Sequence, residues 1–120
     1  MNRMVEHSAH LDAVFHALSD PTRRAMLGRL AERQRTIGEL ATPFSMSFAG
    51  ASKHVRVLEH AGLVSRKIRG RTHLCRLRAA RLAEADAWLR RYERFWSERL
   101  DRLESLLLEE DKSKAKEVKE

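Results

Sequence analysis

The 120-residue sequence has very little cysteine and no long apolar run. Cys75 is its single cysteine, so no disulfide can form within the chain and a reducing compartment is expected. No apolar stretch approaches the roughly 20 residues that cross a bilayer, which excludes a membrane-spanning helix. The first ten residues are polar and lack the apolar core of an export signal. The sequence therefore predicts a cytoplasmic protein with no membrane partner.

The sequence signatures of catalysis are also missing. The chain has no glycine loop for phosphates, no nucleophile motif and no pair of carboxylates placed to share a cleft. Ser52 and His54 are close in sequence, but both fall in one predicted helix and do not indicate a catalytic triad. The sequence predicts that the protein is not an enzyme and has no cofactor.

Positive charge is concentrated in one third of the chain. The net charge is +7, and residues 48–81 alone carry nine Lys or Arg side chains against the single acid Glu59, which makes +8. The rest of the chain therefore sums to −1. Such a cationic segment is typical of a surface that binds a polyanion, although taken alone it fits a solvated basic face equally well.

Apolar spacing and capping residues predict five helices and one β-hairpin. The helices cover about 9–18, 22–32, 36–44, 48–60 and 79–109, and the strands cover 63–68 and 72–77. Asp20 before Pro21 starts the second helix, Thr36 and Glu39 form a capping box for the third, and Gly62 ends the fourth. The charged residues at the end predict a disordered tail. The expected division is one domain, residues 1–110, and a tail, residues 111–120.

Two short helices joined by a tight turn and followed by a basic hairpin predict a winged helix-turn-helix, a mainly α fold with a small β-hairpin wing. In this fold the second helix enters the major groove and the wing extends the contact along the phosphates. Helical angles place Ala51, Val55 and Leu58 in the core. The opposite side of that helix and the wing tip supply the predicted DNA-binding residues: Ser47, Ala49, Ser52, Lys53, His54, Arg56, Arg69 and Arg71.

Several of these assignments leave an alternative open. Ser52, Lys53 and Arg56 can bond either base edges or phosphates. His54 and Phe48 lie on the flanks of the helix, so contact with DNA and packing inside the protein are both open for each. The wing also carries Arg66 and Lys67, for which exposure to solvent without a DNA contact is the simpler interpretation. Arg23 and Arg24 are weaker candidates for phosphate contact.

Apolar residues in the last predicted helix recur in steps of three or four, which is close to a coiled-coil seam. We expect this seam to form a homodimer interface. Its aromatic residues also fit a small-molecule pocket at that interface, but their helical spacing favours packing. The predicted interface residues are Leu89, Tyr92, Phe95, Trp96, Leu100 and Leu103.

Two motifs resemble the ArsR family of bacterial repressors. Residues 18–24 (LSDPTRR) and residues 52–64 (SKHVRVLEHAGLV) carry the resemblance, and Gly70 with Arg71 at the wing tip fits it. The resemblance covers roughly residues 9 to 108. It implies a symmetric dimer, formed mainly through the first and last helices, that occupies operator DNA and blocks transcription. Phe48 departs from the pattern, because many relatives carry a polar residue such as glutamine there.

Many members of that family sense metals, but the usual ligands are missing here. A thiolate site needs several cysteines, and the third helix has none. The last helix has no histidine for the interfacial site that other members build from Asp and His. His7, His10 and His16 have loosely helical spacing, which leaves a site shared with a partner subunit as a minor alternative. The sequence favours a member without a metal site and with an unidentified effector.

The expected function is therefore sequence-specific binding of a palindromic operator in double-stranded DNA by a homodimer. Two alternatives remain: a repressor that responds to a small molecule or a metal at the dimer interface, and a winged-helix module that binds protein. Charge argues against the protein-binding module, because such a module does not need +8 over its recognition helix and wing.

Overall fold

Helices dominate the computed structural model, which describes residues 3–119, with side chains over residues 9–115. In chain order the elements are α1 (Arg3–Leu18), α2 (Pro21–Glu32), β1 (Arg35–Thr36), α3 (Ile37–Ala41), a 3-10 turn (Thr42–Phe44), α4 (Phe48–His60), β2 (Val64–Arg69), β3 (Thr72–Leu77) and α5 (Ala80–Lys119). The chain divides into two compact units, Met1–Ala85 and Asp86–Glu120, called here the first and second units. None of the helices within residues 3–119 combines the length and the apolar character needed to cross a membrane.

The helix starts follow the capping signals of the sequence. The Asp20 carboxylate accepts a hydrogen bond from the backbone N–H of Arg23 at 2.9 Å, and this bond lowers the pKa of that carboxyl. At α3 the capping box is complete, since the Thr36 hydroxyl accepts from the Glu39 N–H and the Glu39 carboxylate accepts from the Thr36 N–H, both at 3.1 Å. Ser47 caps α4 in the same way, through Gly50. The capping residues predicted for α2 and α3 are confirmed, and α4 begins at Phe48 as predicted.

A substitution at Thr36 tests how much the capping box of α3 contributes to stability. We expect Thr36→Ala to lower the free energy of unfolding by about 1 kcal/mol, because the Glu39 N–H loses its acceptor at the start of a five-residue helix. Urea unfolding followed by circular dichroism measures the change. Thr36→Ser keeps the hydroxyl and is the control. Equal stability of the alanine variant and the native protein would show that the cap contributes nothing.

Two glycines hold the backbone in the left-handed region, where other residues are strained. Gly62 has φ +75° directly after α4, and the N–H of Leu63 reaches back to the carbonyl of Leu58 at 3.0 Å. Gly70 has φ +60° between β2 and β3, at the tip of the hairpin. The predicted helix stop and the predicted wing turn are therefore both confirmed.

The wing is part of a three-stranded antiparallel sheet in the order β1-β3-β2. The register pairs Arg66 with Cys75 and Ile68 with His73, so these four side chains share one face of the sheet. Cys75 is fully buried there, and burial raises the pKa of its thiol to about 11. The sequence did not predict β1, whose two residues are too few to show an alternating pattern.

A single apolar core lies in the first unit. The α4 residues predicted to face inward, Ala51, Val55 and Leu58, are buried, and so are Met26, Leu27 and Leu30 of α2. α1 adds Val14 and Ala17, α3 adds Ile37 and Leu40, and Leu63 closes the turn before the wing. The core thus joins α4 to α1, α2, α3 and β2, which fixes the direction that the exposed side of α4 faces.

The ends of the outer helices differ from the prediction. α1 begins at Arg3 instead of near Ala9, and α5 continues to Lys119 instead of ending near Glu109. Charged residues extend α5 because they can pair one turn apart, as Glu110 and Lys114 do at 3.6 Å. The division into a domain of residues 1–110 and a tail of residues 111–120 stays a prediction.

Candidate DNA-binding surface

The side of α4 opposite the core is exposed and short of acid. Ala49, Lys53 and Arg56 are exposed along it, Ser52 is half-buried, and Ser47 is exposed just before the first residue of the helix. The structure thus brings these five predicted residues together on one side of one helix. Because Ala51, Val55 and Leu58 are buried on the other side, this row cannot turn inward without breaking the core.

The two cations of this row have no partner within the described part of the protein. No hydrogen bond or ion pair among the side chains of residues 9–115 uses the ammonium of Lys53 or the guanidinium of Arg56. Their charge is therefore available to an external group. An exposed helix face with free cations is the arrangement that contacts bases and phosphates in a major groove.

His54 is tied into the protein more than the other predicted residues. It is half-buried, and its Nδ1 lies 3.4 Å from Nη1 of Arg23 and 3.9 Å from Oδ2 of Asp20. Because Nδ1 faces Arg23 and Asp20, only the other atoms of the imidazole are available to contact DNA. Contact of His54 with DNA stays a prediction, and packing explains its Nδ1.

Arg23 has a structural role that the sequence did not reveal. It is only 9% exposed, and its guanidinium donates from Nε to the carbonyl of Ala17 at 2.8 Å and from Nη2 to the carbonyl of His16 at 3.0 Å. It therefore satisfies the end of α1 and joins that end to α2 and α4. This internal use argues against the phosphate contact considered for Arg23. Arg24, in contrast, is exposed and bonds the carbonyl of Leu18 at 2.7 Å.

Some cations of the wing are exposed to solvent, and one is paired within the protein. Arg69 and Arg71 are exposed on either side of Gly70, as predicted for the tip. Arg66 instead turns inward, where Nη2 donates to the carboxylate of Glu59 and Nη1 lies 3.0 Å from Nδ1 of His73. Glu59 is the one acid in residues 48–81, and it is paired with Arg66. The exposed cations that remain in residues 48–81 therefore have no carboxylate within that segment to neutralise them.

Phe48 is the first residue of α4, and its side chain contacts the wing. Its side chain is 54% exposed, and its ring meets the ring of His73 edge to face with the centroids 6.3 Å apart. The structure therefore supports a packing contact at the start of α4, while the exposed half of the ring leaves contact with a thymine methyl open.

Comparison with known proteins identifies this arrangement. Residues 18–66 match the family described as a helix-turn-helix domain. The HTH-type transcriptional regulator Rv2034 of Mycobacterium tuberculosis is 36% identical over 89 residues, which cover 74% of this chain and 80% of that protein. The transcriptional repressor SdpR of Bacillus subtilis is 32% identical over 79 residues, covering 66% and 88%.

Solved structures agree with these relatives. The ArsR family transcriptional regulator RHA00566 is 37% identical with a TM-score of 0.71, over 75% of this chain and 93% of that one. The chain belongs to the ArsR family of winged helix-turn-helix transcriptional regulators. A homodimeric winged helix-turn-helix domain, Mb0332 of Mycobacterium bovis, shares the fold at 23% identity and a TM-score of 0.63, over 79% of this chain and 90% of that one.

In this ArsR regulator the second unit is a helix with an exposed apolar stripe. Trp88 and Tyr92 pack at 4.9 Å between ring centroids, and Phe95 and Trp96 meet edge to face at 5.8 Å. These contacts lie within one helix and leave about half of each predicted interface side chain exposed. The exposed side chains are Leu89, Tyr92, Phe95, Trp96, Leu100 and Leu103, together with Leu106, Leu107 and Leu108.

The described residues contain no group of three or more His, Cys, Asp or Glu side chains arranged to hold a metal. Of the three N-terminal histidines, His10 and His16 are exposed on α1, and the side chain of His7 lies outside the described residues.

Proposed function

We propose that the protein is a homodimeric repressor of the cytoplasm that binds a palindromic operator, with α4 in the major groove and the wing tip on the adjacent phosphates. The observation that carries the proposal is the row of Lys53 and Arg56 on the exposed side of α4, free of internal partners and held in place by the buried side. The exposed cations Arg69 and Arg71 continue the same charge into the wing.

The dimer is proposed from the apolar stripe of α5. On α5, Trp96 is 58% exposed and Leu100 is 60% exposed. Pairing of α5 with α5 of a second copy is favourable because it removes these large apolar side chains from water. The homodimeric state of a protein with the same fold supports it. Two α4 helices related by a two-fold axis would read half-sites about 34 Å apart or a multiple of that distance. The name of the SdpR relative supports repression.

The operator is found by retaining genomic fragments on the purified protein at moderate salt and sequencing them. Enrichment of one palindromic motif is the expected result. Retention without any enriched motif would contradict sequence-specific binding, and retention of no DNA would favour a winged helix that binds protein.

Salt dependence tests the mode of binding separately. We expect log affinity for the operator to fall linearly with log salt, by about 10³-fold or more between 50 and 200 mM if six or more phosphates are contacted. Fluorescence anisotropy of a labelled operator measures it. An affinity that is insensitive to salt would contradict a phosphate-contacting wing.

A further inference from the structure

A groove of about 500 Å³ lies between α1 and α4, inside the first unit. Three of the side chains that line it are apolar: Ala13 of α1, Val57 of α4 and Ala61 just after α4. A volume of this size with mainly apolar walls is typical of a site for a small organic molecule. None of the α5 residues predicted for the dimer interface lines the groove, although α1, which the family resemblance also places in the dimer, supplies one wall.

The polar side chains of the groove all carry nitrogen. His16 comes from α1, and Lys53, Arg56 and His60 come from α4, while none of the lining side chains within residues 9–115 is acidic. The nearest acid in sequence on α4 is Glu59, which is paired with Arg66. Asp12 precedes Ala13 on α1 but is exposed and does not line the groove. An apolar groove with free cations and no acid selects for an anion over a neutral or cationic molecule.

We propose that this groove binds a small organic anion with an apolar body, of the aromatic carboxylate class, and that the bound anion releases the protein from DNA. The apolar body contacts Ala13, Val57 and Ala61, and the carboxylate takes the charges of Lys53 and Arg56. The second part rests on the proposed function, because it uses the two cations that we assign to DNA.

The anion and DNA compete because both contact Lys53 and Arg56. A carboxylate beside Lys53 and Arg56 neutralises the charge that α4 offers to the major groove, and it stands where DNA would approach. DNA and the anion then exclude each other, so each must weaken the binding of the other by the same factor. No change of fold is required.

The groove is tested first without DNA, so that the result does not depend on the proposed function. Three probes share one ring system and differ in charge: 1-naphthoate, 1-naphthylmethanol and 1-naphthylmethylammonium. We expect saturable shifts of the backbone amide NMR signals of Ala13, Val57 and Ala61 with naphthoate, and binding about tenfold weaker or more for the alcohol, since it lacks the charge-assisted bonds.

A matched pair of variants locates the site. His16 lines the groove and His10 does not, although both are exposed histidines of α1. His16→Glu should weaken naphthoate binding about tenfold through repulsion in the groove, while His10→Glu should change it little. Ala13→Leu fills the groove without a change of charge and should also remove binding, with Ala25→Leu, an exposed alanine of α2, as its control.

The last step adds the operator. Naphthoate should release labelled operator at constant ionic strength, whereas the ammonium probe should not. Absence of saturable shifts, equal affinity for naphthoate and the alcohol, or shifts confined to the exposed aromatic residues of α5 would each overturn the site. Saturation of the groove while the operator stays bound would overturn the competition. A protein that binds naphthoate but no operator would contradict the proposed function alone.

Discussion

The double variant Lys53→Ala, Arg56→Ala should lose specific operator binding and keep its fold. Both side chains are exposed, and neither has an internal partner among the described residues, so their truncation removes no contact that the core needs. A good base contact contributes about 1–3 kcal/mol, and a dimer makes every contact twice, so the expected loss is at least about 10³-fold.

Anisotropy with the operator measures the affinity, and thermal unfolding checks the fold. The control is Arg102→Ala, Lys112→Ala, which removes one arginine and one lysine from exposed positions of the second unit and lowers the net charge equally. It should reduce affinity only slightly, through long-range charge. If operator affinity is unchanged in the first variant, the recognition face of α4 has been assigned wrongly.

Local signals in the sequence were sufficient for most of the fold. Asp20 with Pro21, the Thr36 and Glu39 pair, and Gly62 act on backbone groups within a few residues, so their effect can be predicted without knowing the tertiary structure. The helical period likewise predicted which side of α4 is buried, because burial along a helix follows its 3.6-residue repeat.

The misjudged residues are arginines whose partners lie across a turn, in or at the end of a different helix. The sequence favours solvent exposure for Arg66, but its partner Glu59 lies across the turn at Gly62, and the sheet register directs Arg66 inward. The role of Arg23 depends on carbonyl groups at the end of α1, which it reaches only because the turn at Ser19 brings α2 back. Charge alone does not separate such arginines from those that face DNA.

Replacement of Trp96 by glutamate should convert the dimer to monomer. Trp96 lies within the exposed stripe of α5 and is 58% exposed in the single chain, so most of its ring is available for burial against a second copy. A central tryptophan of an interface contributes about 2 kcal/mol or more, and each protomer supplies one, so the dimer dissociation constant should rise by about 10³-fold. The introduced carboxylate adds the cost of burying a charge without a partner.

Sedimentation at micromolar concentration measures this change, and Ser105→Glu is the matched control. Ser105 is exposed and lies nine residues along α5 from Trp96, which places it about 180° around the helix from that side chain. It introduces the same charge on the opposite side and should leave the dimer intact. Operator affinity should fall only in the Trp96 variant, by about 10²-fold or more, because a monomer binds one half-site without the effective concentration that a second provides. A Trp96→Glu protein that still sediments as a dimer would remove α5 from the interface and direct attention to α1.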